Sequence, residues 1–176
     1  MNAGAAAQRY NTVARALHWV IALLVVGNLI GGFVHEAFEH VVRIIPVHKA
    51  VGLTILALSL LRLAWRIAAR PPALPAEMPL WERGSAHVIH AMFYVLMIAM
   101  PLSGWLFSSA GKYPLTWFGL FDVPKFAVAK DSTLYAVTHG GHMAMAWLFL
   151  ALVVLHVTAA LRHHLVLKDT VLRRML

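Results

Sequence analysis

Residues 142–165 read HMAMAWLFLALVVLHVTAALRHHL, an apolar run opened, divided and closed by histidine. A helix of about 20 apolar residues spans a bilayer, so this run is long enough to cross one. Three further stretches share its character, at about 17–34, 48–65 and 87–107. The four consume nearly half of the 176 residues and leave only loops and tails. The chain is 61% apolar and 12% charged, about half the charge of an ordinary soluble domain. The expected fold is all-α: an integral membrane four-helix bundle of up-down topology, one membrane domain over 1–176. A membrane barrel is excluded, because its strands alternate apolar and polar residues. With no cysteine, the chain has no disulfide, thiolate metal site or C-x-x-C-H haem attachment.

Arg9 and Arg15 precede the first apolar run in the manner of a secretory signal. That run is longer than a signal core and lacks a small-residue cleavage site behind it, so it reads as an uncleaved helix. Pro71, Pro72, Pro75 and Pro79 break the chain between the second and third spans. Gly111, Pro114 and Pro124 break it between the third and fourth. This last connection, roughly Ser108 to Thr138, carries Trp117, Phe118, Phe121 and Phe126 and is expected to be an ordered loop at the membrane surface. Arg9, Arg15, Arg62, Arg66, Arg70, Arg83, Arg162, Lys168, Arg173 and Arg174 fall on the side of the amino terminus. Arg43, Lys49, Lys112, Lys125 and Lys130 fall on the other, a ratio of ten to five. Positive charge concentrates on the cytoplasmic side, which puts both termini there.

The 11 histidines are the unusual feature of so apolar a chain. An ionisable group within a membrane bundle is costly and generally faces the interior for a purpose. His142 and His156 are 14 residues apart, about 3.9 helical turns, and so share a face at levels ~21 Å apart. The up-down path gives each a partner at its own depth. His18 opens the first helix level with His156, at the inner end; His48 opens the second level with His142, at the outer end. Two histidine pairs in apolar surroundings suit two six-coordinate b-type haems held without a covalent link. His139, one turn before His142, competes for the outer position. It lies about 100° off the face of His156, and His142 is preferred.

Adding the same 14 residues to His18, His90 and His48 reaches Gly32, Gly104 and Arg62. Gly32, beside Gly31, and Gly104 would let a porphyrin lie against the helix; the alternative is that glycine is simply common in membrane helices. Arg62 would reach the inner haem's propionates or snorkel to the interface. His35 and His40, with Glu36 and Glu39, read as solvated outer surface, with metal binding as the alternative. His87, His90, His163 and His164 gather near the inner surface. They suit a polar pocket that hydrogen-bonds a quinone and passes protons to it; a wet interfacial rim is the alternative. Lys168 and Asp169 read as a solvated helix end that could also pass protons inward.

Several stretches form an ordered pattern: RALHW at 15–19, VHKAVGL at 47–53, AHVIH at 86–90, then His142, His156 and ALRHHLVLKDTVLRRM at 160–175. This pattern resembles the prokaryotic di-haem cytochrome b-561 family over nearly the whole chain. The resemblance implies a four-helix electron carrier of the bacterial inner membrane with two haem b groups. It puts the ligands on His18 with His156 and on His48 with His142. Within that family the chain is similar to the superoxide oxidases, which implies oxidation of superoxide outside and reduction of ubiquinone inside. The quinone region would fall on His87 and His163, with His90 and Arg162 near it. Arg43, Lys49, Lys112, Lys125 and Lys130 would then draw the anion toward the outer haem, or form an ordinary basic surface. The partners so implied are superoxide, ubiquinone, the lipid bilayer and a membrane redox protein, with no nucleic acid.

The main competitor is a cytochrome b subunit that passes electrons from a hydrogenase or other periplasmic dehydrogenase to quinone. Such a subunit needs the same helices and haems, and only its electron donor differs. A di-iron enzyme of the desaturase type would need clustered H-x-x-x-H and H-x-x-H-H motifs on one side. Here the central histidines divide between two depths. A metal-ion carrier would place carboxylates within the helices, whereas all seven acids fall in loops or helix ends.

Overall fold

The computed structural model describes residues 9–38, 40–69, 71–74 and 78–176. Glu39, Arg70 and Pro75, singled out above, lie outside the described residues. Four helices dominate: α1 (Thr12–Phe38), α2 (Ile44–Ala68), α3 (Leu80–Ser109) and α4 (Thr133–Leu161). All four are long and apolar enough to cross a membrane. The first three extend beyond the apolar stretches read from the sequence at both ends, and α4 at its start, because the backbone keeps its hydrogen bonds after the side chains turn polar. The 27 residues of α1 make a rod of about 40 Å, against a hydrocarbon core of about 30 Å.

Local chemistry sets the ends. The Asn11 side chain accepts from the Ala14 N–H at 2.9 Å, and Ser132 accepts from the Tyr135 N–H at 3.2 Å. Both are N-caps that satisfy otherwise orphaned amides. Pro79 stands immediately before α3. Past Leu161 the fourth helix loosens into a π-helical turn, Arg162–Val166.

Consecutive helices pack on one another, α1 on α2, α2 on α3 and α3 on α4, as an up-down path requires. Their shared core draws on every helix: Ile21, Val25 and Leu29, then Ile55, then Leu96, Met97 and Met100, then Ala146, Phe149 and Leu152. Leu23, Ile67, Val95 and Trp147 face outward and are well exposed, as suits a bundle whose solvent is lipid. The start of α1, the segment 174–175 and the α2–α3 connection meet at one end of the bundle. Tyr10 donates its N–H to the Arg174 carbonyl, the Trp19 indole donates to the Met175 carbonyl, and the buried Arg174 donates to the Ala73 carbonyl.

The α3–α4 connection is shorter than expected, 110–132, because α4 starts at Thr133. It is also not wholly irregular. Strands β1 (Thr116–Trp117) and β2 (Phe121–Asp122) pair antiparallel, a small addition to the all-α expectation. Between them Phe118 and Gly119 both adopt positive φ, 49° and 75°, and the Leu120 N–H closes the turn on the Trp117 carbonyl at 2.9 Å. Two tryptophans bind this loop to the bundle. Trp117 donates to the Thr54 hydroxyl on α2 at 3.0 Å, and Trp105 on α3 donates to the Pro124 carbonyl at 2.8 Å. Lys125 closes the loop on the Gly111 and Tyr113 carbonyls. Trp117→Phe removes one such bond, and should lower stability by about 0.5–1.5 kcal/mol. Thermal unfolding in detergent, together with faster proteolysis within 110–132, measures the effect.

Candidate functional site

Two histidine pairs face one another inside the bundle. His18 of α1 and His156 of α4 form the proximal pair, at the end that holds both termini. Their ring centres are 6.3 Å apart, with planes at 79°. His48 of α2 and His142 of α4 form the distal pair, 6.2 Å apart at 75°. A metal–imidazole bond of about 2.0–2.1 Å, with ~1.1 Å more to the ring centre, puts two rings on opposite sides of one ion about 6.2–6.4 Å apart. Both pairs meet that distance. Among the described residues no group of three or more His, Cys, Asp or Glu could hold a metal ion. Two opposed imidazoles without a third protein ligand suit a metal that brings its own equatorial donors, as the iron of haem does.

The distal pair is held by backbone. The Nδ1–H of His48 donates to the Asn28 carbonyl at 3.1 Å, and that of His142 to the Met100 carbonyl at 3.0 Å. Ser103 Oγ lies 3.1 Å from the same His142 nitrogen. These bonds set the tautomer and leave each Nε2 lone pair for a ligand. Neither Asn28 nor Met100 was legible from sequence, since each acts through its carbonyl. Gly32 and Gly104 are near the distal pair, but they face the imidazoles themselves. A Cβ at Gly32 would lie 3.0 Å from His48 Cε1, and one at Gly104 3.1 Å from His142 Cε1. Gly31 meets Ile44 instead.

An apolar cavity surrounds the distal pair, walled by Val25, Met97, Ala146 and Phe149 and reached by Lys49 and His35. His35 is thus not solvated surface. It is partly buried and bonds the Gly32 carbonyl at 2.7 Å. His40 is exposed. His139 lines the cavity but stacks on Tyr135 at 5.7 Å, outside the pair.

The proximal surroundings are more polar. His90 comes within 5.7 Å of the His156 ring and Phe93 within 5.3 Å. A cavity at this end is lined by Arg9, Arg62 and Arg66 with Tyr10 and Tyr94. Arg62 donates to the Ala14 carbonyl at 2.8 Å, and Arg66 lies over the Tyr94 ring. The other histidines of this end spread out. His87 is exposed and bonds the Arg83 carbonyl within its own helix. His163 Nδ1 is 2.5 Å from Asp169, and its Nε2 is 3.9 Å from Glu82. Glu82 also meets Arg162 at 3.2 Å. His164 Nδ1 is buried with no hydrogen-bond partner among the described residues. Neither His87 nor His163 lines the arginine-rich cavity. Glu82 escaped sequence reasoning because a lone acid at a helix start reads as an ordinary dipole partner; Asp169, read there as a helix end, is instead a partner of His163.

Comparison with known proteins places the chain in one family. The family profile described as Prokaryotic cytochrome b561 matches residues 9–176. The chain is 34% identical over 182 positions to Cytochrome b561 homolog 2 of Escherichia coli (strain K12), covering 96% of this chain and 92% of that protein. It is 29% identical over 174 positions to Probable superoxide oxidase CybB of Yersinia pestis, covering 96% of each. Cytochrome b561 homolog 1 of the same E. coli strain is 27% identical over 174 positions, covering 96% and 97%. The chain therefore belongs to the prokaryotic cytochrome b561 family of multi-pass membrane electron-transfer proteins, whose cofactor is b-type haem.

Proposed function

We propose that His18 with His156, and His48 with His142, each hold one haem b, and that the protein carries electrons from superoxide to ubiquinone across the bacterial inner membrane. Both termini then lie in the cytoplasm, with the distal pair toward the periplasm. The observation that carries the haem reading is the spacing of the two pairs, 6.3 and 6.2 Å, with no third protein ligand among the described residues. Haem b bound at the two levels would supply a pair of one-electron carriers. The superoxide reading draws on the sequence resemblance and on the name of the Yersinia relative. Lys49 inside the distal cavity adds to it.

The chain's own residues divide the remaining work. Lys49, with Lys125 near it and exposed Arg43, Lys112 and Lys130 in the connections at the same end of the bundle, focuses positive potential where a small anion arrives. Two superoxide anions give up one electron each and leave as dioxygen; one quinone takes two electrons and two protons to become quinol. Val25, Met97 and Phe149 keep water from the interior between the levels. Phe149 lies midway in sequence between His142 and His156. Arg62, near His18, and Arg66, near His90, supply positive charge at the proximal end for cofactor carboxylates. The quinone binds at the end of the bundle that carries His87, His90 and His163. His163, held between Asp169 and Glu82, is poised to move a proton from the cytoplasmic surface.

His156→Ala should halve the haem content, removing the proximal haem and sparing the distal one. Loss of both from a folded protein would defeat the reading of separate sites. Anaerobic stopped-flow mixing with pulsed superoxide should reduce the haems faster than spontaneous dismutation, and added quinone should reoxidise them. A rate no faster than dismutation would point to a periplasmic dehydrogenase as the donor. His163→Ala should leave both haem spectra intact and slow quinone reduction about 10²-fold or more, the usual range for a lost general acid. Unchanged quinone kinetics would remove His163 from the site.

A further inference from the structure

The two distal histidines are seated in the same way on two different helices. His48 donates to the Asn28 carbonyl, and Gly32 is four residues further along α1. His142 donates to the Met100 carbonyl, and Gly104 is four residues further along α3. In an α-helix the carbonyl of residue i accepts the N–H of residue i+4, so each glycine closes the turn whose carbonyl the imidazole uses. A helical side chain lies over the turn preceding its own Cα. Any side chain at 32 or 104 would therefore cover the carbonyl and displace the ring. A Cβ at Gly32 would stand 3.0 Å from His48 Cε1 and 3.4 Å from Nδ1. At Gly104 the distances to the same atoms of His142 are 3.1 and 3.3 Å. Contacts this short require the ring to move.

The proximal pair lacks this seating. Among the described residues no glycine would meet the ring of His18 or His156 with an added Cβ, and His90 and Phe93 flank His156 instead. We infer that Gly32 and Gly104 are positioning residues for the distal haem. Each opens a notch that fixes the plane of one axial imidazole and directs its Nδ1–H onto a helix carbonyl. A carbonyl so placed makes the imidazole a stronger donor to ferric iron, so the notches hold down the distal midpoint potential. The inference rests on the ligand pairs proposed above.

The test uses purified protein carrying both haems, read by low-temperature EPR and redox potentiometry. Gly32→Ala and Gly104→Ala should each shift the largest g value and raise the midpoint potential of one haem, the one that His48→Ala removes. The other haem should not move. Gly27→Ala in α1 and Gly84→Ala in α3, where a Cβ meets nothing within 4 Å, should shift neither. Silence at the distal haem, equal shifts at both haems, or equal shifts in the controls would overturn the inference. If either alanine expels the distal haem, pulsed EPR of the unaltered protein decides. The ¹⁴N quadrupole coupling of the remote ring nitrogens should show stronger hydrogen bonding at the distal haem, and equal couplings would overturn the inference. Haem loss in His48→Ala and His18→Ala tests the ligand pairs separately. If those assignments hold and the glycine variants are silent, only the notches fail.

Discussion

Two imidazoles held 6 Å apart, at each of two depths, are the constraint on which the rest of the bundle depends. Polar rings are expensive within a membrane unless they have a partner. In lipid, moreover, no hydrophobic force draws helices together. The fourth helix shows the consequence. Among the long helices it packs extensively only on α3. It meets α1 at His18 and His156 and where Phe33 touches Trp147, and it meets α2 at His48 and His142. A group coordinated between the rings would thus tie α4 to both distant helices, making the cofactor sites part of the architecture.

The two ends of the bundle differ in a way that matches the proposed direction of electron flow. The distal pair lies in an apolar cavity beneath a loop fastened by Trp105 and Trp117. The proximal end is built of arginines, histidines and acids, with Glu82 and Asp169 both directed at His163. In the proposed function, the chemistry that consumes protons takes place at that end. The core of Val25, Ile55, Met97 and Phe149 separates the two environments.

Much of this was legible in the chain itself. Four apolar runs of bilayer length dictate four helices, since no other open structure satisfies its backbone in lipid. A separation of fourteen positions puts His142 and His156 on one face through helix geometry alone, and alternating chain direction pairs them with His48 and His18. Helix ends were less legible: α4 begins at Thr133, nine residues before the apolar run, because Ser132 supplies the cap. His35 read as surface from its acidic neighbours, but its position beside Gly32 turns it into the distal cavity.

Composition and periodicity thus determined the fold class, the number of spans and the identity of the facing histidines, because these depend on hydrophobic length and helical repeat. Only the tertiary structure decided how the rings are held. Carbonyls carry no sequence signal, so Asn28 and Met100 emerge as hydrogen-bond partners only when helices come together. The purpose of a glycine likewise depends on what approaches it, and at positions 32 and 104 that is the edge of an imidazole. The same holds for Glu82: its meeting with His163 spans two helices, a distance along the chain that no local pattern can register.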